Sequence, residues 1–578
     1  MRIKHHFCCA FRDELKETLD QLSIPYESIS MHPVRVDSYL VFDIFEEESA
    51  FPSVIQMINN GDNHIQQIVY AESDLLDAEW LTLRCTNASL DLSREETIFN
   101  CFEPMNENGG RRIMPFAGMT IGDAYMWARF RGQTKMVERL EQLTLKQLDN
   151  GGQGFVGDNA VIKNTKYIRN VAIRSEAEDP SLVEECIMLG DGVVGLGCKL
   201  EYGIIAERFL LGEHVHLEYG LRLNDSVVGD NSTLARCEVG CSIIFPAHEQ
   251  HHNNSFLLAA LVMGQSNVAA GGTLGSNHNR RTADGELSCG RGFWPGLCVS
   301  VKHSSRFASN CLLAKGDYPS ELNITLPFSL VNNNVAKNRL EVMPAYWWMY
   351  NMYAMDRNSH KFANRDKRKT KEQNIEFDNL APDTAEEIII GRDLLHIWTE
   401  ESYREGKQEI EAHGMEKGKR KTVILKAGDA YQAYYDMLVY YAMNNLGEEP
   451  ENKDYSDAPR ITNWVNIGGQ LVAEHDIKLL IADIEEGKLN SWDEIHNRFK
   501  QLWEAYPESK RQHAYQVLCY LSQKKRLDKE EWSRYKAEYQ RIKQYVADQK
   551  SLSRKKDDEN EYRHMTYWND AEMHAVLG

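Results

Sequence analysis

The sequence predicts a mixed α+β, multidomain protein. Its middle is a parallel β-helix of hexapeptide repeats, preceded by a small N-terminal α/β module and followed by a C-terminal helical bundle. Three observations carry this reading. Aliphatic residues recur from Val194 through Leu200, Ile205, Leu211, Leu217, Leu223, Val228 and Leu234 to Val239, at intervals of 6, 5, 6, 6, 6, 5, 6 and 5. A helix repeats at about 3.6 residues and a strand at about 2, so neither sustains this period; a coil built from hexads does. Glycine follows Val194, Leu211, Val228 and Val239, and Gly195, Gly212 and Gly229 stand 17 residues apart, as expected when three flat faces make one coil and a small residue eases each corner. An ordinary β-sandwich would instead alternate, with turn signals about every 8–12 residues.

Residues 1–75 alternate short elements: strands at 2–10, 26–31, 38–45 and 64–71, with helices at 11–22 and 48–59. That βαββαβ order fits a ferredoxin-like module. Residues 76–152 form a connector. Within it, Met126, Phe130, Met136, Leu140, Leu143 and Leu148 space an amphipathic helix from 122 to about 149. Asn150-Gly151-Gly152 stops that helix, which is placed to cap the first coil.

The β-helix occupies 153–320. Val156, Ile162, Ile168 and Ile173 extend the ladder upstream, and Val262, Val268, Leu274, Phe293 and Val299 extend it downstream. Loops inserted at 245–255 and 275–292 interrupt it, and such departures from a regular solenoid commonly carry function. Residues 321–424 are an aromatic-rich connector. Its stretch 343–353, dense in aromatics and sulfur, reads as a buried core or subunit-contact helix, or as a ligand-stacking box. The basic runs in 358–382 (Lys367-Arg368-Lys369) and 405–421 read as solvated loops. Residues 425–578 are helical: Tyr431, Tyr434, Leu438 and Tyr441 share one face, Ser491 and Glu494 have the capping-box form, and Pro507 breaks that helix before a second one.

At 578 residues the chain exceeds one core. A formal charge of −20 counts against a nucleic-acid partner, whose footprint would be a basic face. No run of about 18 apolar residues suggests a membrane span. The start at Met1 leads into charged sequence without an apolar signal core, and the 12 cysteines contain no CxxC pair. A reduced, cytoplasmic protein is expected.

The repeat, with Val156-Gly157-Asp158-Asn159-Ala160 close to an ideal hexad, resembles the left-handed hexapeptide-repeat superfamily. That superfamily includes acyltransferases acting on amino sugars and the β-helical halves of sugar-phosphate nucleotidyltransferases. The resemblance covers about 165 of the 578 residues. It implies a left-handed coil, a homo-oligomer (a trimer) with its site in the groove between subunits, and acyl-CoA or a nucleotide-sugar as donor. A nucleotidyltransferase catalytic domain is not implied, since no glycine-rich GxGxR-type loop follows an N-terminal strand. The strings His251-His252-Asn253-Asn254-Ser255, Ser276-Asn277-His278 and Lys302-His303 resemble those of a large family with the same repeat, which supplies position and no reaction.

Acyltransferases of this kind use a histidine as general base, suited by a pKa of about 6.5. His252 and His278 are the preferred candidates, with His251 beside them; each alone reads equally as a satisfied loop residue. Arg280, Arg281, Arg291, Lys302, Arg306 and Lys315 gather within 36 residues. With Asn277 and His303 they could hold a phosphorylated ligand, or form a solvated loop. Among His248, His251 and His252 the His-x-x-His spacing can place two nitrogens together, but Glu249 or His278 would have to supply a third ligand, so no metal is firmly implied. The expected function is acyl transfer to, or other handling of, a phosphorylated sugar or nucleotide-sugar. A non-catalytic scaffold or small-ligand sensor is the competing reading.

Overall fold

The structure is a computed structural model. It describes, by backbone, the strands Ile3–Cys9, Tyr26–Ser30, Ser38–Ile44, Gln67–Ala71, Arg84–Thr86 and Ala88–Asp91, and beyond them residues 101–149, 155–157, 159–276, 285–447, 450–452 and 454–577. Tyr26–Ser30, Ser38–Ile44, Ile3–Cys9 and Gln67–Ala71 pair antiparallel in that order. The helices expected at 11–22 and 48–59 lie outside the described residues, as do Asn277, His278, Arg280 and Arg281.

The middle of the chain is a parallel β-solenoid of about 10 turns. Val161–Lys163, Leu182–Glu184, Lys199–Glu201, His216–Glu218, Thr233–Ala235 and Glu249–Gln250 stack in register on one face. The longer strands Met188–Val194, Ile205–Leu211 and Arg222–Val228 each supply the other two faces, bending at one left-handed residue: Asp191, Arg208 and Asp225, with φ of 53°, 53° and 48°. Those residues turn the corner. The glycines do something else: a Cβ on Gly195 would meet the carbonyl oxygen of Gly212 at 2.2 Å, so they permit neighbouring coils to approach at the backbone.

Val194, Leu200, Leu211, Leu217, Leu223, Val228, Leu234 and Val239 all point inward, at most 2% exposed. Ile205 does not. The inward residue is Ala206, in register with Leu189 and Leu223, and Ile205 is half-buried on the outer side. The larger side chain misled the count by one position because strand neighbours face opposite ways. The stretch 245–255 is likewise a regular part of the coil. Gln250 fills the rung after Leu234; its Oε1 lies 3.2 Å from Nε2 of the buried His248, and its Nε2 donates to Ser255 Oγ at 3.1 Å. Polar residues at core positions hid the period.

Three further expectations change. The predicted capping helix is two helices, Ile121–Arg129 and Thr134–Asp149. They lie along the side of the solenoid, covering an outward apolar row of Ala172, Val193, Leu210, Val227, Ile243 and Leu261. Helix Trp492–Ser522 runs straight through Pro507; Ile495, Phe499, Tyr506, Ala514 and Val517 are buried around it, and that packing outweighs the hydrogen bond proline removes. Finally, Arg368 is not solvated. It is buried between Asp366 and Asp230, each 2.8 Å away, where the buried Asp230 carboxylate requires a partner.

Candidate functional site

Among the described residues, His251 and His252 stand apart from Lys302, His303 and Arg291. The His251 and His252 rings lie 4.5 Å apart between centroids, tilted by 50°, just before the strand Ser255–Leu258. Lys302 and His303 stand at the far end of the same face, where Lys302 pairs with Ser276. One face of the prism separates the two groups. His252 is exposed; His251 is half-buried, and burial holds its pKa below the usual value. Lys302 forms an ion pair with Glu321 at 2.9 Å. His303 accepts the amide of Gly285 at Nδ1, 2.9 Å away, so a neutral ring carries its proton on Nε2 and presents a donor there. Arg291 is 3% exposed. Its fork holds Asp383 bidentately at 2.8 Å, and Nη1 also donates to the carbonyl of Asp378 at 2.9 Å. A phosphate would have to displace Asp383.

A different set of groups does converge. Helix Pro382–Arg404 starts with proline at its first position, and Thr384 Oγ1 accepts the amide of Ala381 at 2.9 Å, a favoured way to begin a helix. Ala385, Ile388, Ile389 and Leu395 bury its inner side. Asp383, Glu386 and Glu387 are thereby left in the first turns, where the helix dipole favours negative charge. They form one wall of a cleft of about 670 Å³. Arg129 closes a second side, strand Trp464–Ile467 the third, and Met263 and Ser309 of the solenoid the floor.

Each carboxylate has a distinct environment. Asp383 is neutralised by Arg291. Glu386 accepts from His513 Nε2 at 2.9 Å, and His513 Nδ1 lies 2.8 Å from the Tyr441 hydroxyl. Burial lowers the pKa of His513, so Tyr441 donates to Nδ1 while Nε2–H donates to Glu386, a single tautomer fixed at both ends. Glu387 has no cation of its own. Its Oε2 accepts the amide of Ser309 at 2.9 Å, and burial, then the charge of Asp383, push its pKa up to about 7. Near neutral pH that carboxyl can give or take a proton. On the same cleft, Asn466 is 6% exposed and accepts from Gly469 at 2.7 Å through Oδ1, while its Nδ2 has no partner among the described residues. A buried donor left unsatisfied is costly unless a ligand meets it.

Among the described residues no group of three or more His, Cys, Asp or Glu side chains is arranged to hold a metal. No helix among them is long and apolar enough to cross a membrane. The acidic run behind Pro382 is visible in the sequence; nothing local links Glu386 to Tyr441 or His513.

Residues 92–398 match the family described as Domain of unknown function (DUF4954), and residues 453–555 match one described as Domain of unknown function (DUF6819). A protein of Treponema pallidum (strain Nichols), described as an uncharacterized protein, is 42% identical over 530 residues, covering 84% of this chain and 73% of that one. The cleft takes its walls from both matched regions: Ser309, Asp383, Glu386 and Glu387 from the first, Asn463, Trp464 and Asn466 from the second.

Proposed function

Since the chain belongs to the DUF4954 family, we propose that it is a transferase-like solenoid protein that binds an amino sugar in the carboxylate-lined cleft, with Glu387 as its proton-transfer group. The observation that carries this is Glu387 itself, poised near neutral pH on the wall of a cleft large enough for a sugar. Supporting it, a sugar hydroxyl both donates and accepts, which suits a lining that mixes carboxylates with the unpartnered Asn466 amide. Asp383 is paired with Arg291, Glu386 with Arg460 at 3.4 Å and Glu474 with Lys478 at 3.1 Å, so Glu387 is the lining carboxylate that a protonated amine suits. A phosphate would face that carboxylate, which counts against the phosphorylated sugar expected from the sequence.

The reaction of this reading is acyl transfer. The deprotonated amine attacks a thioester carbonyl, the C–N bond forms, and the C–S bond breaks. Glu387 accepts the amine proton and returns it to the departing thiolate. An acyl-CoA-type donor, a left-handed coil, a trimer and a cytoplasmic setting come with the likeness to the hexapeptide-repeat superfamily, and the strand order at 1–75 agrees with a ferredoxin-like module.

A second reading keeps the base at His252, favoured by its exposed ring and by Lys361 and Arg365 close by on Glu249. Calorimetry on the full chain with glucosamine, glucosamine 6-phosphate and acetyl-CoA separates the two. Glucosamine is expected to bind best, with binding lost in Asn466→Leu and acyl transfer lost in Glu387→Ala. Tighter binding of the phosphate, with transfer lost in His252→Ala instead, would overturn the cleft in favour of the histidine corner.

A further inference from the structure

A second cavity, of about 350 Å³, lies between helices Met352–Asn364 and Ala427–Leu446. It is joined to the cleft by side chains: Tyr441 lines this cavity, donates to His513, and His513 donates to Glu386 on the cleft wall. The two sides of the cavity differ in character. Trp348, Met352 and Tyr440 offer aromatic and thioether surface, which favours contact with a flat ring. The opposite side carries Asp356 and Asp378, and each is already paired with a lysine: Asp356 with Lys550, and Asp378 with Lys510 at 2.7 Å. Asn445 donates one N–H of its Nδ2 to the carbonyl of Tyr441 at 2.8 Å, which leaves its carbonyl oxygen and a second N–H for a ligand. The polar side therefore offers acceptors, the two carboxylates among them held by lysines, of which Lys510 also serves Glu376.

A cation would find its counter-charge already taken, and an anion would face two carboxylates. What remains favourable is an uncharged planar molecule whose edge bears N–H donors. We infer that this cavity is a second ligand site, taking a neutral nitrogen heterocycle of the nucleobase type, such as the base of a nucleoside. A ligand that recruits the Tyr441 hydroxyl also withdraws the donor that fixes the His513 tautomer, which gives the site a physical link to Glu386.

Guanosine is the probe, because its N1–H and exocyclic amine present donors along one edge and it carries no charge. Its binding to the full chain is measured by equilibrium dialysis, with no sugar present. Saturable binding is expected. It should weaken at least tenfold in Asn445→Leu, which removes an acceptor, and in Ser359→Phe, which fills the space from a half-buried position; two variants keep the test valid if one misfolds. Binding should persist in Glu387→Gln, whose change lies in the cleft. Absence of saturable binding, unchanged binding in both cavity variants, or loss in Glu387→Gln overturns the assignment.

Discussion

The main-chain amide of Ser309 donates to Glu387 Oε2 at 2.9 Å, and through that contact the solenoid favours the ionised form of the cleft's central carboxyl. Ser309 is 3% exposed, so the bond sits out of bulk water. One amide is not enough to stabilise the ionised form against burial and the neighbouring Asp383, and the carboxyl settles with a pKa of about 7.

The sign of the resulting pH dependence follows from linkage. The folded pKa of Glu387 is raised above its value of 4.5 in an unfolded chain. Its contribution to stability is therefore complete below about pH 4.5 and falls away as the pH climbs to about 7, by something on the order of 3 kcal/mol. Glu387→Gln keeps the neutral shape and cannot ionise. Its melting temperature should gain on the wild type between pH 5 and about pH 7 and level off above; parallel curves would contradict the raised pKa.

The ladder correction has its own test. Leu217 is fully buried within the prism, so Leu217→Ala should cost about 2–5 kcal/mol in urea denaturation. Ile205 faces outward and half-exposed, and Ile205→Ala should cost less than about 1 kcal/mol. Equal losses would return Ile205 to the core.

Gly195→Ala sets a new methyl against the Gly212 carbonyl at 2.2 Å, forcing adjacent coils apart; a drop of about 2 kcal/mol or more is expected. Gly428→Ala, with open space around it inside the helix Ala427–Leu446, should instead stabilise by about 0.5–1 kcal/mol. Thermal melts of the pair decide it.

Arg291→Met leaves the half-buried Asp383 beside Glu387 without its cation. The loss should be about 3 kcal/mol, and the pKa of Glu387 should rise, visible as an altered slope of stability against pH. A mild, pH-independent loss would mean that Arg291 only fills space.

The solenoid was legible because its signal is local: one inward residue per hexad, repeated. Where the core turned polar, at His248 and Gln250, the same period became invisible and the stretch read as an insertion. Arg368 read as solvated because sequence cannot show the buried Asp230 that calls for it, 138 positions away. The cleft was hidden for the same reason. Glu386, Tyr441 and His513 carry no shared motif and meet only after the C-terminal helices pack on the solenoid. Of the basic residues gathered in 280–315, Arg291 is spent on Asp383 and Lys302 on Glu321.

A crystal structure of the chain grown with glucosamine would bear most directly on where the ligand sits. Density in contact with Asn466 Nδ2, with the amine facing Glu387, is the expected result. Ordered sugar at the His251–His252 corner with an empty cleft would contradict it.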